Sequence, residues 1–338
     1  MDRGKLAVMA LDSGKTFARK IITHIDKLYE DEKITHRCHD IGCREITFAN
    51  GEVKTVIEQS VRGLDLFIVQ LVDDPYSEKS INDNIMAIAT AVNAAHYSDA
   101  GRITAVLPHY PYSRQDKKSG RESITSRIFG NLMEVSGADK IITLDIHSEA
   151  IEGFFNHIHI ENLHAGKLLI NYLSKNVDIS NLMIVAPDVG SAKRGLYFAK
   201  KLDLDLAIIE KVRDYSKKSV VSEMRLVGDV KNKNVFINDD MIATGGTLLN
   251  ACKLLKKHGA LDIYISVSLP FFSNKSYELF DEAYNNNLFK KVISTDAVSW
   301  NDEFCKSHQW FDQISAAEMF AQVIFALNQR RSVSKYLE

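Results

Sequence analysis

The chain has 338 residues, 45% of them hydrophobic and 25% charged, which is enough apolar material for more than one packed core. Its formal charge of −2 supplies no global basic field for nucleic acid. No apolar run reaches the roughly 20 residues of a membrane span, the run in MDRGKLAVMALDSGK is too short for a signal peptide, and the scattered Cys38, Cys43, Cys252 and Cys305 read as reduced thiols of a cytoplasmic protein.

In chain order, apolar runs of strand length fall at 6–11, 65–72, 102–107, 140–145, 182–186, 206–210, 235–239, 263–269 and 292–295. Most are continuous and rich in Val and Ile, as strands buried on both faces are. Helix-like stretches at 84–98, 123–136, 164–174, 192–202 and 246–258 lie between them. This alternation predicts parallel α/β sheets. Two segments echo each other. Ala100-Gly101 precedes a strand ending Leu107-Pro108, and Gly259-Ala260 precedes one ending Leu269-Pro270. Two similar domains are therefore expected, 1–158 and 159–311, with a closing helix at about 312–330 packing on the first.

Ser13-Gly14-Lys15-Thr16 imitates the end of a phosphate loop, but that pattern needs a glycine where Met9 stands. It is expected to be a turn and the first turn of a helix.

The stretch VFINDDMIATGGTLLNAC, 235–252, reads as strand, glycine turn and helix. Ligands of open α/β sheets sit at the carboxyl ends of strands, beside helix N-termini whose N–H groups bind phosphate. Thr244, Gly245, Gly246 and Thr247 suit a phosphate. Asp239 and Asp240 are acceptors, suited to sugar hydroxyls or a hydrated cation. A solvated turn with a capping acid is the plain alternative.

The stretch resembles the ribose-phosphate loop of type I phosphoribosyltransferases and of ribose-phosphate pyrophosphokinases, the phosphoribosyl pyrophosphate synthetases. Other motifs separate the two. HYPYSRQDKKSGRES (109–123) resembles the synthetases' ATP segment and implies that Arg114, Gln115 and Asp116 meet ATP. KIITLDIHSEA (140–150) resembles their Asp-x-His strand end and implies that His147 serves ATP, the metal and catalysis. VAPDVGSAKRG (185–195) resembles their pyrophosphate loop, with Asp188 on magnesium and Lys193-Arg194 in the first helical turn. IIEKVRDYSKKS (208–219) resembles the start of their catalytic flap, implying that Lys211 and Arg213 act in the transition state. Phe48, Asn50 and Glu52, which alternate, resemble the hairpin that reaches the adenine site of a neighbouring subunit.

The resemblance implies two phosphoribosyltransferase-like domains, each a largely parallel sheet flanked by helices. It implies pyrophosphoryl transfer from ATP to the 1-hydroxyl of ribose 5-phosphate, Mg²⁺ as cofactor, and a homo-oligomer built from dimers, up to a hexamer. Neither nucleic acid nor membrane is an expected partner. The chain departs from the family at Ala243, where the loop often carries an acid, and at Ala150 and Glu152, where glutamines are usual. A phosphoribosyltransferase and a catalytically weak regulatory subunit are the competing readings.

Overall fold

The computed structural model describes residues 3–213 and 221–337, with 211–213 and 221–223 described by their backbone alone. The chain divides into two compact units, Met1–His164 with Ser315–Glu338, and Ala165–Ile314.

The first unit runs β1 (Leu6–Ala10), α1 (Lys15–Asp31), β2 (His39–Ile41), β3 (Cys43–Thr47), β4 (Val53–Ile57), β5 (Asp65–Val69), α2 (Ile81–Tyr97), β6 (Arg102–Val106), α3 (Thr125–Ser136), β7 (Lys140–Leu144) and β8 (His159–Leu163). Its sheet is parallel, in the order β2-β1-β5-β6-β7-β8. β5 and β7 are buried throughout, which accounts for their continuous apolar sequence. β3 and β4 stand apart as an antiparallel ribbon. α2 starts at Ile81, ahead of the expected 84, because Ser80 and Asp83 form a reciprocal capping box.

β8 corrects the expected boundary. A break between 158 and 159 would assign this strand to the second domain, but it pairs with β7 from Lys140–His159 to Leu144–Leu163. The division falls after His164.

The second unit runs α4 (Gly166–Asn176), β9 (Leu182–Ala186), α5 (Ala192–Leu202), β10 (Leu206–Arg213), β11 (Val221–Val227), β12 (Asn234–Ile242), α6 (Gly246–Lys257), β13 (Ile263–Pro270), α7 (Tyr277–Asn285), β14 (Lys291–Thr295), α8 (Asp302–Ser307) and β15 (Phe311–Ile314). The strand order is β11-β10-β9-β12-β13-β14-β15, parallel except for β11 against β10. On one face an aromatic cluster fills the core. Phe280 stacks on Trp310 at 5.5 Å, and Trp300 lies 4.1 Å from Phe304.

After β15, α9 (Ala317–Asn328) belongs to the first unit. Within it only Glu318 and Gln322 escape burial, as befits a helix that is apolar almost all round. Phe320 meets Phe17 of α1 edge-on at 5.4 Å, and Phe325 meets Tyr29 at 5.1 Å. Among the described residues no helix is long and apolar enough to cross a membrane.

Candidate functional site

In the second unit, β12 delivers Asp239 and Asp240 at its carboxyl end, and the chain turns through Thr244-Gly245 into α6. Gly245 is required twice over. Its φ is +73°, and a Cβ there would lie 2.2 Å from the ring of buried Phe280. Gly246 differs: a Cβ there meets nothing within 4 Å, so open space stands over the start of the helix. Thr244, Gly246 and Thr247 are exposed, and among the described residues no side chain caps α6. The first N–H groups of the helix therefore face that space, as a phosphate requires.

Ala243 secures the loop through its backbone. Its carbonyl accepts from the Ser273 N–H at 2.9 Å and the Ser276 hydroxyl at 3.0 Å. Any residue has that carbonyl, so the alanine leaves the loop's path intact and removes only an acid from its lining.

Successive strand residues point to opposite faces, yet both carboxylates approach one guanidinium. Asp239 folds back to accept from the backbone N–H of Asp240 at 2.9 Å. Arg194 of α5 then lies 3.8 Å from Asp239 and 4.0 Å from Asp240. Burial first, and the Asp240 charge second, push the Asp239 carboxyl well above the usual range, with Arg194 offsetting part of this. A pair of carboxylates under such strain suits hydroxyl donors or a divalent cation.

Asp188, beyond β9, accepts from the Ser191 N–H at 2.9 Å, while the Ser191 hydroxyl donates to the Asp188 carbonyl at 2.8 Å. This turn opens α5 and positions Arg194. Lys211 and Arg213 lie at the end of β10, where the pairing with β11 shifts register between Val212 and Arg213. Their side chains lie outside the described residues, as does the whole of 214–220.

In the first unit, the segment after β6 is pinned from below. Tyr110 is buried, donates to the Ser126 carbonyl at 2.8 Å, and meets Phe129 edge-on at 5.1 Å. Ser126 in turn donates to the Gln115 carbonyl at 2.9 Å. Arg114 and Gln115 are thereby held exposed, with Asp116 half-buried beside them.

After β7, Asp145 takes a left-handed conformation with φ +42°, and His147 is exposed. Sequence reasoning missed what holds this turn. Asn162 on β8 accepts from the Ile146 N–H at 3.0 Å, and its amide donates to Glu152 at 3.2 Å. His164 places Nδ1 3.0 Å from Asp145 Oδ1, and that bond raises the imidazole pKa. Asn162 and His164 are two apart, so they share a face, and that spacing was the available signal. Glu152, a departure from the family, has a structural task here.

Phe48, Asn50 and Glu52 do not alternate along one strand. They occupy the exposed tip of the β3–β4 ribbon, where the Phe48 N–H donates to the Glu52 carbonyl at 2.8 Å. A two-stranded ribbon is marginal alone. Glu45 of β3 anchors it, taking Lys79 at 2.7 Å and the backbone N–H of Asp12. Asp12 belongs to the turn that imitates a phosphate loop. A Cβ on Gly14 there would strike the Val69 carbonyl at 2.4 Å, so that glycine packs against β5 and cradles no ligand.

Among the described residues no three His, Cys, Asp or Glu side chains form a ready metal cluster, and the candidate ligands are divided, His147 in the first unit and Asp188 in the second.

Comparison with known proteins identifies what these parts belong to. The N-terminal domain of ribose phosphate pyrophosphokinase matches residues 6–137, and a phosphoribosyl transferase domain matches 155–307. A ribose-phosphate pyrophosphokinase of Chlorobaculum tepidum is 38% identical over 289 residues, 85% of this chain and 84% of that one. Ribose-phosphate pyrophosphokinase 4 of Saccharomyces cerevisiae is 38% identical over 288 residues, again 85% of this chain and 84% of the other. The crystal structure of phosphoribosylpyrophosphate synthetase from Mycobacterium smegmatis superposes with a TM-score of 0.83 at 30% identity, covering 96% of this chain and 99% of that one. Two parallel α/β units, matched in order and over most of their length, place this chain in the ribose-phosphate pyrophosphokinase family.

Proposed function

We propose that the chain transfers the β,γ-pyrophosphoryl group of ATP to the 1-hydroxyl of ribose 5-phosphate. The sugar oxygen bonds to the β-phosphorus, the bond from that phosphorus to the α-phosphate oxygen breaks, AMP leaves, and the hydroxyl proton passes to solvent. The supporting observation is the open space over Gly246 at the uncapped start of α6, beside the two carboxylates of β12.

Gly245, Gly246 and Thr247, with Thr244, hold the 5-phosphate through backbone N–H groups and hydroxyls. Asp239 and Asp240 accept from the ribose hydroxyls, which add donors to a pair of crowded carboxylates. Arg114, Gln115 and Asp116 bind ATP. Phe48, Asn50 and Glu52, exposed at the ribbon tip, reach the adenine site of a second copy, so the working form is a homo-oligomer. Asp188 and His147 would hold Mg²⁺ with the triphosphate, and the Asp239–Asp240 pair also fits a divalent cation by its donor set. When bound, the ion neutralises phosphate charge. Lys211 and Arg213 offset the charge that develops around the β-phosphorus. The four cysteines are unpaired, which supports a reducing, cytoplasmic setting.

A residue that acts mainly in the transition state lowers kcat with little change in KM. Arg213→Ala is therefore expected to lower kcat by about 100-fold or more while the KM for ATP stays within about twofold. Near-normal turnover in Arg213→Ala would remove the flap from the reaction.

A further inference from the structure

The first unit has a concave site at the amino end of its sheet. A cavity of about 720 Å³ opens where β1 and β2 begin and α9 ends. Arg3, Lys5, Arg37 and Arg330 line it together with His36 and His39, and no Asp or Glu is among its lining residues. Four fixed positive charges thus surround one hollow in a chain whose formal charge is −2.

These cations differ from their neighbours. Elsewhere in the unit, Arg44 pairs with Glu58, Arg62 with Asp99, Lys79 with Glu45 and Lys140 with Glu161. Arg331, next to Arg330, makes a two-point bond with Glu32. Among the described residues Arg3, Lys5, Arg37 and Arg330 form no such pair. Of the carboxylates around the cavity, Glu161 is paired with Lys140, Asp26 accepts from the Cys38 N–H at 2.8 Å, and Asp65 is wholly buried at the start of β5, with Oδ2 taken by the Asn328 amide at 3.0 Å. Burial raises the pKa of Asp65 and so weakens it as a counter-charge. Burial and the charges of Arg102 and Arg330 lower the pKa of Arg3, with Asp65 and Glu161 opposing them. The like charges crowd one another, and a bound anion would relieve that repulsion.

We infer that this cavity is a binding site for a small, multiply phosphorylated anion. Guanidinium groups present planar donor forks that match phosphate oxygens, and three of the four cations are arginines. The volume suits one nucleotide-sized molecule. The site lies at the amino ends of the strands, whereas Arg114 and His147 follow the carboxyl ends of β6 and β7. A five-residue strand separates the two ends of the sheet by about 15 Å. The inference stands independently of the reaction proposed above.

The test is calorimetric titration of the full chain with inorganic tripolyphosphate in metal-free buffer. Wild type, Arg114→Ala and Arg37→Glu/Arg330→Glu would be compared, with Arg37→Ser/Arg330→Ser as the milder form should the charge reversal misfold. The expected result is a site filled in wild type and in Arg114→Ala, weakened at least 10-fold in the double variant, and weakened further by added salt. Tripolyphosphate should raise Tm more in the first two proteins than in the third. Sugar-dependent AMP formation in the absence of tripolyphosphate should be the same in the double variant as in wild type. Equal affinity in wild type and the double variant, or no binding to wild type at millimolar tripolyphosphate, would overturn the assignment. Loss of AMP formation in wild type itself would count against the reaction and leave this site standing.

Discussion

His164 holds Asp145 through a 3.0 Å contact at the one point where the strand-end turn adopts a left-handed backbone. Asn162, two residues earlier on β8, holds the next N–H, that of Ile146. A non-glycine residue in this conformation costs on the order of 1 kcal/mol and persists only where its surroundings enforce it. Both bonds come from β8 and the residue that follows it, which the expected boundary would have assigned to the other domain, and the residue they position is His147.

Asn162→Leu leaves the buried Ile146 N–H without its acceptor. The expected loss is about 1–3 kcal/mol of unfolding free energy, read by urea denaturation, together with a larger rise in the KM for metal–ATP than for ribose 5-phosphate. Glu152→Gln keeps an acceptor for the Asn162 amide and should stay within about 0.5 kcal/mol of wild type. Equal damage from both substitutions would mean that the carboxylate charge, and not the hydrogen bond, orders the turn.

The two loop glycines should separate stability from binding. Gly245→Ala meets Phe280 and a positive φ, so it should destabilise by about 2 kcal/mol or more. Gly246→Ala has room and stands at the first helical position, so its stability should match or exceed wild type by up to about 1 kcal/mol. It nevertheless puts a methyl group where the phosphate is placed, and the KM for ribose 5-phosphate should rise at least 10-fold. A Gly246→Ala enzyme with unchanged KM would move the phosphate elsewhere.

His109 is buried, and burial lowers its pKa to about 4. The unfolded chain takes up this proton near its ordinary pKa of about 6.5, so between those values the unfolded state binds more protons. The contribution to stability is complete above about pH 6.5 and is lost as pH falls toward 4. At pH 4.5 the loss amounts to roughly 2–3 kcal/mol. Urea denaturation at pH 7.5 and 4.5 should show a pH penalty smaller by that amount in His109→Gln than in wild type. An equal penalty in both proteins would show that the imidazole titrates without cost to the fold.

The long buried strands were legible because their Val and Ile runs are continuous, and α5 runs over the expected 192–202. The short, polar or edge strands were not. β2 and β15 have three and four residues, and β8 carries a Glu and an Asn among its five. Pairing, not composition, makes them strands. In the site, the Asp239–Asp240 acids and the Gly245-Gly246 turn could be read from spacing alone. The tertiary partners could not. Arg194 meets the acids across β9 and β12, Phe280 demands Gly245 from 35 residues further on, and Glu45 reaches Lys79. Such contacts depend on how helices pack over strands, which no local pattern encodes.

The central claim is that the pyrophosphoryl group moves as a unit from ATP to the sugar. ATP labelled in its β-phosphate, incubated with the protein, Mg²⁺ and ribose 5-phosphate, tests it directly. The label should leave the nucleotide pool and appear in the sugar product, with unlabelled AMP formed in equal amount and only when the sugar is present. Label recovered in ADP, or retained in ATP while the sugar is consumed, would contradict the account.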